Sequence, residues 1–308
     1  MTPLKSLGLF SVLLLSCISA QAAVYVTIVQ GLGGQPEWDE RFTEQFGKIR
    51  DASHSLADED QVTDFSGPDA TRENLLAHFR ILSESMTSED RAVIYLIGHG
   101  SYDGEQYKFN IPGPDITDGD LAEILGTLPG KNHFLLNTSS ASGATLGALE
   151  TDDRILVTAT RNGNEKNATE FGDYFAEALV NENADINKNS NISIQEAFDY
   201  ANRGVENFFE SQSKLATEHA QIRGDTAASF TLARLGDLQI SSEDPRINEL
   251  LTRRQELDQD IEELQLRRNE FTNADYIQQL QALILQAAEV SEELEQLQAG
   301  SGDDADRE

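Results

Sequence analysis

The chain has 308 residues, 39% hydrophobic and 25% charged, which is enough for one buried core of ordinary size with length left over for an appendage. Its 54 acidic side chains against 23 Lys and Arg leave a formal net charge of −31. Binding to phosphate needs concentrated cations, so nucleic acid and anionic membrane faces are excluded as partners.

The N-terminus carries Lys5, an apolar run from Leu7 to Leu15, and the small-residue triplet Ala20-Gln21-Ala22. This is the layout of a secretory leader with an A-x-A cleavage site, and the run is too short to span a bilayer as a mature helix. An exported chain, periplasmic or secreted, with residues 1–22 removed is expected. The alternative takes Leu14-Leu15-Ser16-Cys17 as a lipoprotein signal that leaves Cys17 acylated at the new N-terminus. Cys17 is the single cysteine in either case. The folded domain therefore has no disulfide, no thiolate metal site and no thiol nucleophile.

Residues 23–30 form a continuous β-branched run that ends at Gly31, Gly33 and Gly34. Residues 36–52 follow with helical spacing through Trp38, Phe42 and Phe46. The glycine turn lacks both nucleotide-binding spacings and has no Lys, so it reads as a plain turn. Next come an amphipathic helix over 70–86, a buried strand over 91–100, an apparent hairpin in the acidic loop, a helix over 118–128, and strands over 133–139 and 154–160. Apolar strands alternating with helices predict a mostly parallel sheet covered on both faces, an α/β sandwich spanning 23–236.

In such a sheet the functional groups gather at the carboxyl ends of the strands. His99, within Gly98-His99-Gly100, follows one strand, and the serine cluster Ser139-Ser140-Ala141-Ser142-Gly143 follows the next. This order of motifs resembles the caspase-like fold, a three-layer α/β sandwich, and most closely its legumain-like and bacterial caspase-like branch. The resemblance spans about residues 23–232. It implies that His99 is the acid/base and that Ser140 occupies the position of the family's cysteine nucleophile, with Ala141, Ser142 and Gly143 completing the motif.

The chain departs from the family at the reacting atom. A serine hydroxyl has a far higher pKa than a thiol, and serine enzymes add an orienting acid, which the sequence does not identify. The plainer reading makes Ser140 a small polar residue at a strand-to-helix turn, where N-caps prefer serine. Likewise His99 reads either as a functional group or as a hydrogen-bonded remnant shaping the rim.

Further on, residues 185–196 place oxygen side chains at loop positions 1, 3, 5 and 9 and a carboxylate at 12: Asp185, Asn187, Asn189, Ser193 and Glu196, with Asn191 at position 7 and Ile192 at 8. That is the spacing of an EF-hand-type calcium loop. Ser190 replaces the turn glycine and the amides lower the charge, so calcium, the one cofactor the sequence suggests, would bind weakly. The competing reading is a solvated turn in which Ser193 caps the helix that follows.

Beyond Gly236 the composition turns to Glu, Gln, Leu and Arg. Tyr276, Leu280, Leu283, Ala287, Val290, Leu294 and Leu297 trace a four-three seam, and Leu250, Leu257, Leu264 and Phe271 recur at seven. Residues 244–298 thus read as two coiled-coil helices joined at Thr272-Asn273-Ala274-Asp275, folding as a hairpin or pairing with another chain. Residues 299–308 read as a disordered acidic tail.

Two functions compete. One is a catalytically silent caspase-like protein that presents its rim to a protein or peptide partner and assembles through the coiled coil with itself or another chain. The other is a peptidase using Ser140 and His99. A third, weaker reading has Asp103, Glu105, Asp115, Asp118 and Asp120 bind a cationic peptide.

Overall fold

The computed structural model describes residues 22–235 and 244–305. The expected leader falls outside the described residues except for Ala22, and so does the alternative anchor Cys17.

Six strands form the central sheet in the order β10-β8-β7-β3-β1-β2. They are β1 (Val24–Gln30), β2 (Val62–Phe65), β3 (Arg91–Ile97), β7 (His133–Asn137), β8 (Arg154–Thr158) and β10 (Gln221–Arg223). All pairings are parallel except that of β10 with β8. β3 and β7 lie mid-sheet and are buried on both faces, which is why they read as unbroken apolar runs.

Alternate strand residues feed two cores. Val93, Tyr95 and Ile97 point to the face covered by α1 (Pro36–Ser53), α5 (Phe171–Ala178) and α6 (Ile194–Ser211). Ala92, Ile94 and Leu96 point to the face covered by α2 (Arg72–Ser85) and α3 (Asp118–Thr127). The molecule is therefore a mixed α/β sandwich with a largely parallel central sheet.

The sequence reading missed β2, β10, β9 (Asn191–Ser193) and β11 (Thr231–Arg234). Each has three or four residues and owes its extended form to a neighbour: β2 and β10 edge the main sheet, and β9 pairs antiparallel with β11. Where a hairpin was expected, three short strands form an antiparallel meander: β4 (Gly100–Tyr102), β5 (Tyr107–Phe109) and β6 (Ile116–Thr117).

The C-terminal helices are α7 (Pro245–Leu266) and α8 (Asn273–Ala305); α4 (Leu146–Leu149) is a single short turn after the serine cluster. Arg246 pairs with Glu293 and Arg253 with Gln286, so α7 and α8 run antiparallel. Thr272 starts α8 by accepting from the Asp275 N–H at 3.2 Å. Ala287 and Leu294, two of the predicted seam residues, are buried, while Ile277, Ile284 and Leu285 stay exposed. The helix continues to Ala305, through much of the segment expected to be disordered, because each residue added to an established helix gains a backbone hydrogen bond.

The helix pair is anchored to the sandwich. Glu262 of α7 meets Arg91 at the start of β3 at 2.6 Å with both side chains nearly buried, and Arg91 also lies over the Phe230 ring. Leu266 packs against the core on the sheet face that α1, α5 and α6 cover.

Candidate functional site: the strand-end rim

β3 and β7 are parallel neighbours with Leu96 opposite Asn137, so the turns that follow them leave the same edge of the sheet. His99 stands on the first turn and Ser140 on the second. Gly100 explains why the first turn needs a glycine: a Cβ there would fall 2.5 Å from Ser139 Oγ and 2.7 Å from the Ser140 carbonyl oxygen. The backbone after His99 therefore rests directly on the serine turn.

The His99 ring is half-buried between two aromatic edges, with centroids 5.2 Å from Trp38 and 5.0 Å from Phe42, both tilted at 74°. These two residues are one helical turn apart on α1, which the first core face holds over the end of β3. Burial lowers the imidazole pKa, and the nearby Arg41 charge lowers it further; a backbone hydrogen bond at Gly33 and the Asp39 charge oppose this. His99 is thus neutral near pH 7 and capable of accepting a proton, but its polar partner is backbone and not a carboxylate.

The serine turn is built from hydroxyls with assigned work. Thr138 Oγ1 donates to the Leu96 carbonyl at 3.1 Å. Ser139 Oγ bonds the buried Tyr107 hydroxyl at 2.6 Å, and Asn137 Oδ1 accepts from both Tyr107 and the Ser139 N–H. Ser142 Oγ bonds Thr160 Oγ1, which in turn accepts from the Gly143 N–H at 2.9 Å. Among the described residues the Ser140 hydroxyl has no hydrogen-bond partner, although the residue is only 5% exposed.

Ser140 does not act as an N-cap, contrary to the plainer sequence reading. The short 3-10 turn after it begins at Ala141, which is left-handed (φ 57°, ψ 11°) and provides no side-chain cap. Ala141 is held there by its N–H, which donates to the Glu165 carbonyl at 2.8 Å. The Glu165 carboxylate turns back to the Arg161 N–H and to His219 Nδ1 at 2.7 Å. Beside this turn the N-terminus of α5 gives the Glu170 and Phe171 N–H groups to Glu218, whose burial pushes its carboxyl up to about 7. Arg41 is held by Glu170 and Asp173.

The sequence pointed to His99 and Ser140 but missed Trp38, Phe42, Tyr107, Glu165 and Glu218. The Trp38/Phe42 pair was visible as a helical stripe, but nothing local said that the stripe would enclose a histidine. Nor is the expected acidic surface uniform. Asp120 is buried, belongs to the capping box of α3 and is bonded by Arg72; Asp103 accepts from the Glu105 and Gln106 N–H groups; and Asp115 accepts from the Ile111 N–H.

The 185–196 loop lies apart, leading through β9 into α6. Asp185 accepts from the Asn189 and Ser190 N–H groups, Asn187 Oδ1 from the Asn189 N–H, and Asn189 Oδ1 from the Asn191 N–H. Glu196 reaches back to the Ile186 and Asn187 N–H groups and forms a capping box with Ser193, so the expected cap at Ser193 is present. Lys188 and Ser190 are left-handed at φ 61° and 64°, and Ile192 pairs with Ala233. Both carboxylates face into the loop with the oxygen residues between them, a donor set that fits a hard cation. Among the described residues no cluster of three or more His, Cys, Asp or Glu could hold a metal ion.

No family model matches the chain, and no curated protein matches it. Among solved structures, a structural-genomics target protein from Geobacter sulfurreducens aligns at 11% identity over 69% of this chain and 97% of its own, with a TM-score of 0.46. Caspase-1 from Spodoptera frugiperda aligns at 12% identity over 70% of this chain and 92% of its own, with a TM-score of 0.41.

Proposed function

We propose that the chain is an exported caspase-like protein, nearest in motif order to the legumain-like and bacterial caspase-like branch, that has lost peptidase catalysis and serves as a binding or scaffold module. One observation carries this reading. At the place where the resemblance implies a thiol stands the Ser140 hydroxyl, on the same sheet edge as a neutral His99 that is enclosed by Trp38 and Phe42 and oriented by backbone. An imidazole without an orienting acid does not generate an alkoxide efficiently. The rim then offers a shaped surface to a protein or peptide. The α7–α8 pair, read as a coiled-coil hairpin, provides the assembly element, and the 185–196 loop is a weak calcium site that stiffens the approach to α6. No described helix is long and apolar enough to cross a membrane.

A specific observation favours the second reading, a serine peptidase. Ser140 keeps its hydroxyl uncommitted, and Ala141 beside it holds a strained left-handed backbone of the kind that collects at functional sites. The two readings separate in an assay of the full chain on diverse peptide libraries. The wild type is expected to leave them intact, while Ser140→Cys gains slow cleavage that disappears when His99→Ala is added. Cleavage by the wild type that Ser140→Ala abolishes would establish the peptidase instead.

A further inference from the structure

Ala23 makes the contact that starts the sheet. Its N–H donates to Oδ1 of Asp90 at 2.8 Å, and its carbonyl accepts from the Arg91 N–H at 2.9 Å, opening the β1–β3 ladder. Asp90 is 6% exposed. Its Oδ2 is taken by its own turn, with Thr87 N–H at 2.7 Å and Thr87 Oγ1 at 3.0 Å, which leaves Oδ1 for the Ala23 nitrogen. A buried carboxylate is costly without a cation or a full set of donors. The adjacent guanidinium of Arg91 is engaged by Glu262 and does not serve. Ala22 opens onto two clefts, one lined by Asp58, Asp260, Glu262 and Glu263 with Arg91 and Arg234, the other by Glu89, Asp152, Asp153, Asp225, Glu263 and Glu270 with Arg91, Lys131 and Arg267, so carboxylates outnumber cations around this point.

The Ala23 nitrogen is also the atom that leader removal would free, because the small-residue triplet Ala20-Gln21-Ala22 ends immediately before it. We infer that the α-ammonium released at Ala23 is the counter-ion of the buried Asp90 carboxylate, so that removal of the leader completes the start of the β1–β3 pairing. The inference rests on the export reading. In the step itself, a leader peptidase of the exporting cell adds one water across the Ala22–Ala23 amide. The C–N bond breaks, oxygen remains on Ala22 as a carboxylate, and the Ala23 nitrogen takes up protons to become an ammonium. A neutral amide donor is thereby replaced by a charged one on the same acceptor, and such hydrogen bonds are roughly twice as strong. The gain falls on β1, which lies between β3 and the edge strand β2, and ties it to the Thr87–Asp90 turn before β3. The chain that keeps its leader has the same contact without the charge.

The full chain, exported from a bacterial host, tests this in two stages. Its intact mass should place the N-terminus at Ala23; a chain that begins at Cys17, or one that keeps residues 1–22, would overturn the processing on which the inference rests. Reductive methylation at neutral pH, followed by mapping of the N-terminal peptide, then reads the amine directly. Labelling of Ala23 in the folded wild type should be about tenfold or more slower than in urea, the effect of at least one unit of pKa. The protection should be lost in Asp90→Asn. In parallel, Asp90→Asn should lower the melting temperature by about 2–4 °C more in the chain beginning at Ala23 than in one beginning at Gln21, whose Ala23 nitrogen remains an amide. An N-terminus at Ala23 with an amine as reactive folded as unfolded would refute the ion pair while leaving export intact. Equal effects of Asp90→Asn in the two chains would do the same.

Discussion

The serine turn and the 185–196 loop both hold non-glycine residues in left-handed backbone, and they hold them by opposite means. Ala141 is fixed from outside: Glu165 accepts its N–H, and Thr160 locks Ser142 and Gly143 beside it. Lys188 and Ser190 are fixed mainly from within, by Asp185 and Asn187 accepting from the Asn189 and Ser190 N–H groups, with one bond from outside, the Leu235 N–H on the Ser190 carbonyl at 2.7 Å. Left-handed backbone costs a side-chain-bearing residue about 1–2 kcal/mol. At the rim the tertiary structure bears that cost; in the loop its own residues bear most of it. A distorted turn held by neighbours can keep its shape after its chemistry is gone, whereas a loop held by its own acids is tied to what those acids bind.

The severest test of external locking is Gly143→Ala. A Cβ there would lie 2.3–2.4 Å from backbone atoms of Thr160, Arg161 and Asn162, none of which can swing aside. A loss of about 3 kcal/mol or more is expected from urea unfolding midpoints, against a near-neutral Gly147→Ala, where no atom lies within 4 Å. Equal behaviour of the two would break the comparison.

Glu218, on the rim side, gives a pH signature. Its folded carboxyl is pushed up to about 7 from an ordinary 4.5, so the native state holds the proton more tightly than the unfolded chain. That contribution is full below the unfolded value and is lost as pH rises through the folded one, at a cost of about 3 kcal/mol between the two. Unfolding of wild type and Glu218→Gln from pH 4 to 8 checks it: the variant should lack this fall and be the more stable of the two at pH 8.

For the loop, calcium decides. With a dissociation constant of about 10⁻⁴ to 10⁻³ M, calcium at ~10 mM stabilises the chain by about 2 kcal/mol. The rise in melting temperature should vanish in Asp185→Asn, which removes the charge and keeps an acceptor for one of the two N–H groups, of Asn189 and Ser190, that the carboxylate holds. An unchanged rise would place the ion elsewhere.

The smallest effects sharpen the contrast. Ser190→Gly relieves left-handed strain at an exposed site and should gain about 1 kcal/mol. Ala141→Gly relieves the same strain but removes a fully buried methyl, worth about 0.8 kcal/mol, so denaturant midpoints should barely move.

What the sequence determined by itself was whatever depends on contiguous residues. Apolar runs marked β1, β3, β7 and β8 because strands buried on both faces must be apolar throughout. Helical periodicity marked α1, α2 and α3, the spacing of oxygen side chains marked the loop, and a four-three seam marked the less exposed face of α8. Strand order then put His99 and Ser140 on one rim. Only the tertiary structure decided what each of them touches. That Trp38 and Phe42 enclose His99, that Tyr107 and Asn137 tie up Ser139 while Ser140 stays uncommitted, and that Glu218 is buried enough to hold its proton all follow from packing between segments far apart in the chain. The same holds for Arg91 and Glu262, which lie 171 residues apart in the chain. Their pairing under α7 came from docking, because burial is a property of neighbours and a charge carries no local mark of whether it will be covered.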